Sequence, residues 1–210
     1  MSSEGLLPAF NPAPPENPTR RKVLIAATTA YTAVGAGFVA TPFLASWLPS
    51  ERAKAIGAPV SVDVSKLEAG AMQTVLWQGK VVFILRRTPE MVATLEGLAG
   101  ELRDPDSVES LQPEYAKNLS RASNDEFLVM LGVCTHLGCA PALQSAEQGR
   151  TVRGDANWQG GFFCPCHGSK FDYAGRVYKG VPAPTNLTIP PYRFDGDNVI
   201  VVGEDPIAGG

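Results

Sequence analysis

The chain carries GVCTHLGC at residues 132–139 and FFCPCHGSKFD at residues 162–172. These two stretches hold all four cysteines and both histidines of a 210-residue protein. Scattered at random, six such residues would rarely fall into one window of six (Cys134–Cys139) and one of four (Cys164–His167). Something is bound there, or something is cross-linked there. The flanking sequence places both stretches on loops. EFLVMLGV (126–133) reads as a buried strand running into the first, and GFFC (161–164) runs into the second.

Outward from the boxes the pattern is of short β-branched and aromatic runs broken by turn residues. TVLWQGKVVFILRR (74–87) reads as two strands around Gln78-Gly79, and YRFDGDNVIVVG (192–203) as a hairpin about Asp195-Gly196. A short strand is expected at 60–64. One helix is expected over 89–99, with Thr88 as N-cap and Pro89 at its first position. Residues 140–163, between the boxes, read as a surface insertion carrying a turn or short hairpin, and 89–125 as an elaborated helix-and-loop segment. There are no internal repeats.

The N-terminal part is built differently. Residues 1–19 are rich in Pro, Asn and Ser with little to bury, the composition of a disordered tail. Arg20-Arg21-Lys22 then precede an uncharged run from Val23 to Leu48. As a helix these residues reach roughly 39 Å, against about 30 Å of bilayer hydrocarbon. The run has no polar face, which a buried soluble helix would show. Ala26, Ala30, Ala33 and Gly37 would allow close approach of another membrane helix, and Pro42 marks a kink or the last turns. The arginine pair resembles a twin-arginine export signal, and FLASWLPSERA offers only poor small-x-small cleavage sites, so an uncleaved signal-anchor is expected. The basic flank puts the N-terminus in the cytoplasm and the rest in an oxidising compartment. The division expected is 1–22 tail with the signal, 23–48 membrane anchor, 49–71 flexible linker and 72–206 an exported all-β domain. The net charge of −3, with no Lys/Arg stripe, excludes nucleic acid as a partner.

Several chemistries compete for the boxes. Zinc closes with four ligands and leaves two of the six unexplained. Covalent haem requires C-x-x-C-H, which neither box has. Two disulfides use the cysteines but give the histidines no role. One assignment uses all six: Cys134 and His136 as C-x-H with Cys164 and His167 as C-x-x-H form the ligand set of a two-iron, two-sulfide cluster. Cys139 and Cys166 are then left over, and an oxidising compartment would let them close a disulfide tying the two loops.

CTHLGC and CPCHGS resemble the two boxes of Rieske iron–sulfur proteins, specifically the disulfide-bearing subunit of the cytochrome bc complexes. GVPAP (180–184) resembles that family's proline loop, which covers the cluster from a third side. The resemblance implies a small antiparallel β-sandwich with a two-loop cluster-binding subdomain at about 133–184, a 2Fe-2S cluster on Cys134, Cys164, His136 and His167, and a Cys139–Cys166 disulfide. It implies that His167, with His136 second, meets ubiquinol at a site shared with a cytochrome b subunit. It implies that the electron passes to a c-type cytochrome, in a dimeric complex of a bacterial inner membrane with the cluster domain periplasmic. Leu137, Gly180, Pro182 and Pro184 would shield the cluster and form the docking surface. Ser169 matches a serine that donates to a bridging sulfide. Phe171 stands where high-potential members have a tyrosine donating to a ligand sulfur, so one tuning hydrogen bond is expected to be missing. The rival readings are the Rieske subunit of another exported enzyme, such as an arsenite oxidase, and a membrane protein with a structural zinc-type site.

Overall fold

The computed structural model describes residues 17–50, 53–54, 57–153 and 155–206. Residues 1–16 of the expected tail lie outside these. The described residues fall into two compact units, one ending at Ser50 and one beginning at Glu51.

The first unit is a 28-residue helix, α1 (Pro18–Ala45), long and apolar enough to cross a membrane, with none of its residues buried within the protein. It begins five residues before the expected span. Asn17 accepts a hydrogen bond from the Arg20 amide at 3.0 Å, and Pro18 occupies the first helical position, where no N–H is needed. The arginine pair is therefore helical. The helix stops at Ala45, three residues past Pro42, and Trp47 and Leu48, expected within the span, lie in the turn that follows.

The second unit holds three antiparallel three-stranded sheets. In chain order the elements are β1 (Val60–Asp63), β2 (Met72–Trp77), β3 (Lys80–Arg86), α2 (Pro89–Ala93), β4 (Phe127–Leu131), β5 (Ala142–Gln144), α3 (Ala146–Arg153), β6 (Gly161–Phe163), β7 (Lys170–Phe171), β8 (Tyr192–Phe194) and β9 (Val199–Val202). The sheets are β1-β9-β8, β2-β3-β4 and β5-β6-β7. One core draws on all three: Val62, Tyr192 and Ile200 from the first, Ile84, Leu128 and Met130 from the second, and Phe162 and Phe171 from the third. The expected all-β class is borne out. Every residue of β4 is buried, which fits its uninterrupted apolar run.

Three expectations of detail are corrected. The linker does not extend to residue 71. Val60–Asp63 pairs along its whole length with Val199–Val202, and Val62 and Val64 are core residues, so the β domain starts at 60 and not at 72. The helix expected over 89–99 ends at Ala93. A 3₁₀ turn over Glu96–Glu101 continues it, because Gly97 and Gly100 are poor α-helix formers. The insertion between the boxes does form a hairpin, β5 paired with β6, and adds helix α3 between its strands. The Asp195-Gly196 hairpin has a longer loop than a two-residue turn: Phe194 pairs with Ile200, and the Asp195 amide reaches the Val199 carbonyl at 2.8 Å. The other hairpin follows expectation, with Gln78 and Gly79 both at positive φ between paired Trp77 and Lys80.

A polar clamp fixes the turn after the second box. Asp172 and Arg176 form a fully buried ion pair at 2.7 Å, and Asp172 also accepts from the Ala174 and Arg176 amides. Arg87 donates to the Tyr173 carbonyl at 3.2 Å and Arg121 to the Ala174 carbonyl at 3.1 Å. Burial pulls both guanidinium pKa values down to about 10, which leaves them charged at neutral pH.

Candidate metal centre

Each box leaves the end of a strand and folds into the same six-residue knuckle. In the first, the Cys134 amide donates to the Cys139 carbonyl at 2.8 Å and the Gly138 amide to the Cys134 carbonyl at 2.9 Å. In the second, the Cys164 amide donates to the Ser169 carbonyl at 2.8 Å and the Gly168 amide to the Cys164 carbonyl at 2.9 Å. Both loops reverse at the fifth position with positive φ, 85° at Gly138 and 79° at Gly168, which side chains other than glycine's resist. Gly132 is required for a different reason: a Cβ there would lie 2.6 Å from the Phe83 ring that packs under the first loop.

Cys139 and Cys166 are joined in a disulfide spanning the two knuckles, with Cα atoms 6.6 Å apart. Cys134 and Cys164 are free and buried. The sulfurs of Cys139, Cys164 and Cys166 lie within 4.8 Å of one another, but two of the three are bonded together, so only Cys164 of that group offers a thiolate to a metal. Burial pushes the Cys134 thiol up, and a contact with Cys164 adds to this, while the Ser169 hydroxyl acts the other way. The His136 and His167 rings, one from each knuckle, meet edge-on, centroids 4.8 Å apart and planes at 89°. His136 is half-buried and His167 exposed. Leu137 beside them is 71% exposed and does not pack inward.

The third side is the 180–184 loop, and it is tied to both knuckles. Thr135 donates to the Thr185 carbonyl at 2.7 Å, and the Ala183 amide donates to the Ser169 hydroxyl at 3.0 Å. Gly180, Pro182 and Pro184 are exposed around the buried Ala183. Arg103 donates to the Val181 and Pro184 carbonyls at 3.2 and 3.4 Å, and Asn186 donates to the Asp104 carbonyl and the Ser107 hydroxyl at 2.9 Å each. The 89–125 segment therefore props the proline loop, a role its sequence did not announce. Phe171 is fully buried in the core that contains Cys134 and Cys164. Tyr173, two residues on, turns its hydroxyl to the Gln144 carbonyl at 3.4 Å.

Two free thiols and two imidazoles in contact with each other, on two knuckles joined by a disulfide that takes the other two cysteines, fit a two-iron cluster. The same four donors would also suit a tetrahedral zinc, so donor chemistry alone leaves two readings. Kinship decides between them. Residues 59–192 match the Rieske [2Fe-2S] domain, and residues 10–50 match the "Ubiquitinol-cytochrome C reductase Fe-S subunit TAT signal". The chain belongs to the Rieske iron–sulfur family. It is 52% identical over 189 residues to the ubiquinol-cytochrome c reductase iron-sulfur subunit of Allochromatium vinosum, covering 90% of each chain. It is 42% identical over 173 residues to the mitochondrial cytochrome b-c1 complex subunit Rieske of Schizosaccharomyces pombe, covering 82% of this chain and 66% of that one. A solved structure titled hyperthermophilic respiratory Complex III aligns over 85% of this chain and 98% of that one, at 26% identity and a TM-score of 0.46. As a Rieske protein the chain carries a 2Fe-2S domain, and the zinc reading falls away. The domain match starts at residue 59, in agreement with β1 being part of the head and not of the linker.

Proposed function

We propose that this chain is the iron–sulfur subunit of a quinol:cytochrome c oxidoreductase, taking an electron and a proton from ubiquinol and passing the electron to a c-type cytochrome. The observation that carries it is the pairing of two free buried cysteines with two touching histidines, on knuckles locked by the Cys139–Cys166 disulfide. Cys134 and Cys164 would hold one iron of the cluster, and His136 and His167 the other. Neutral imidazoles in place of two thiolates give such a cluster a potential of roughly −150 to +300 mV, against about −400 mV for all-cysteine plant-type clusters.

The chain's own residues supply the rest. His167, which is exposed, would meet the quinol hydroxyl and hold its proton on the ring nitrogen not used to bind the cluster. Leu137, Gly180, Pro182 and Pro184, all exposed, would form an apolar collar around that contact. α1 would anchor the protein in the bacterial inner membrane by a single pass, with the N-terminus cytoplasmic and the β domain periplasmic. Oxidoreductase activity would be a property of the assembly, a dimeric complex with cytochrome b and a c-type cytochrome, since one cofactor site is formed among the described residues. The segment joining α1 to β1, residues 46–59, would let the head serve both partners.

Electron paramagnetic resonance of dithionite-reduced membranes, together with purification through a tag on this chain, tests the reading. A Rieske signal co-purifying with b-type and c-type haem is expected. A signal on a chain that purifies free of cytochrome b would point to another exported redox enzyme and overturn the proposal.

A further inference from the structure

Cys164 sits where a second chemistry is open to it. Its sulfur lies within 4.8 Å of those of Cys139 and Cys166, and the latter two are bonded to each other, so a free thiol faces a disulfide at close range. The thiolate of a cysteine at such range is the nucleophile that thiol–disulfide exchange requires. We infer that Cys164, whenever it holds no metal, exchanges with the Cys139–Cys166 disulfide to give a Cys139–Cys164 bond and a free Cys166 thiol. The inference rests on Cys164 being a cluster ligand, since ligation is what keeps it from reacting.

The step balances within the chain. Cys164 gives its proton to solvent, and its sulfur bonds the Cys139 sulfur. The Cys139–Cys166 bond breaks, and the departing Cys166 sulfur takes up a proton. One disulfide and one thiol are present before and after, so no oxidant or reductant is consumed. Attack falls on Cys139 and not on Cys166, because a Cys164–Cys166 bond would close a tight ring over Pro165 alone. The product still bridges the two knuckles, and the leaving thiol is the exposed one. The exchanged form has lost a cluster ligand into the disulfide. Exchange back through Cys166 stays open, so a chain oxidised while empty divides between the two disulfides, and the exchanged fraction takes up no cluster until it returns.

Differential alkylation of the full chain in detergent tests this. Iron is stripped from the loaded protein with a chelator, free thiols are capped with iodoacetamide without reduction, and the capped positions are read by fragment-ion mass spectrometry. A Cys134→Ser variant supplies empty protein without chelator. Cys166 should be uncapped in loaded protein and at least tenfold more capped in both empty forms, with Cys164 protected in the same molecules. Cys164→Ser should leave Cys166 uncapped even without iron. Capping confined to Cys134 and Cys164 after a day in the stripped parent overturns the inference. Equal capping of Cys166 in Cys164→Ser overturns it too, because the bridge would then open without Cys164. Iron content and the spectrum of the starting protein test the ligand reading separately, so failure of one does not pass for failure of the other.

Discussion

Ser169→Ala isolates one hydrogen bond at the cluster. Ser169 is fully buried, and its hydroxyl oxygen already accepts the Ala183 amide at 3.0 Å. A hydroxyl has one proton to donate, and the contact with Cys134 gives that proton a sulfur to point at. A hydrogen bond to a charged acceptor contributes about 1.5–3 kcal/mol in total. Only the part that strengthens when an electron adds negative charge to the sulfur moves the potential. If roughly half of it does, the difference is about 1 kcal/mol, and with 59 mV per tenfold for one electron this is on the order of 30–60 mV. The variant should therefore titrate lower by that amount. It also leaves the buried Ala183 amide unpaired, at about 1–3 kcal/mol of stability, so the melting temperature should fall as well. The assay is redox titration followed by circular dichroism, beside thermal unfolding of the same samples. A melting temperature that falls while the potential stays within about 10 mV, with an intact spectrum, refutes the donation to sulfur and leaves Ser169 as a brace for the proline loop.

Phe171→Tyr places a hydroxyl in a fully buried site. If it reaches a ligand sulfur the midpoint potential rises by tens of millivolts, and if it finds no partner the potential stays put and stability drops by about 1–3 kcal/mol, so the same two measurements separate the cases. Cys139→Ser removes the tie between the knuckles and should lower cluster content or potential while the spectrum keeps two nitrogen and two sulfur ligands; loss of a ligand signature would mean that Cys139 itself binds iron. Paired Ala55→Pro and Ala58→Pro substitutions lie before β1 and should slow steady-state turnover of the complex without changing the cluster potential. Unchanged turnover would reduce the segment to a spacer.

What could be read from the sequence was local chemistry. The six ligand-type residues, the Gln78-Gly79 turn and the apolar run of β4 are each set by neighbours a few positions away. What was missed depends on partners far along the chain. Val60–Asp63 reads as a short strand, but its place in the head shows only when β9, more than a hundred residues later, supplies its ladder. Arg87, Arg121 and Arg176 look like surface residues until the 172–176 turn and the Leu95 carbonyl are brought to them. α3 was missed in spite of a local signal. Ser145-Ala-Glu-Gln148 is a capping box, with the Ser145 amide donating to the Gln148 side chain at 2.8 Å and the Gln148 amide donating to the Ser145 hydroxyl at 3.2 Å. Trp158 gives the insertion a purpose in packing, since it is buried against Leu98, Leu102 and Tyr178.

The two knuckles share a backbone and differ in what they place on it, and the difference is what makes a rigid site. Both put a free cysteine at position one and a left-handed glycine at position five. At position six the first has Cys139 and the second has Ser169. Cys139 reaches across to position three of the other loop as a disulfide, and Ser169 reaches back to position one of the first as a hydroxyl contact. Each loop is thus held by the other's last residue. The proline loop bonds to both, through Thr135–Thr185 and Ser169–Ala183. The strands beneath, β5 to β7, are only two or three residues long and cannot supply that order alone. Cutting one cross-tie should therefore loosen the site in part, whereas cutting the disulfide and the Ser169 contact together should cost more than the sum of the two, because Ser169→Ala also removes the Ala183 bond and none of these ties then joins the second knuckle to the first. A Cys139→Ser/Ser169→Ala double mutant that loses cluster no faster than the singles predict would show that the ties act independently.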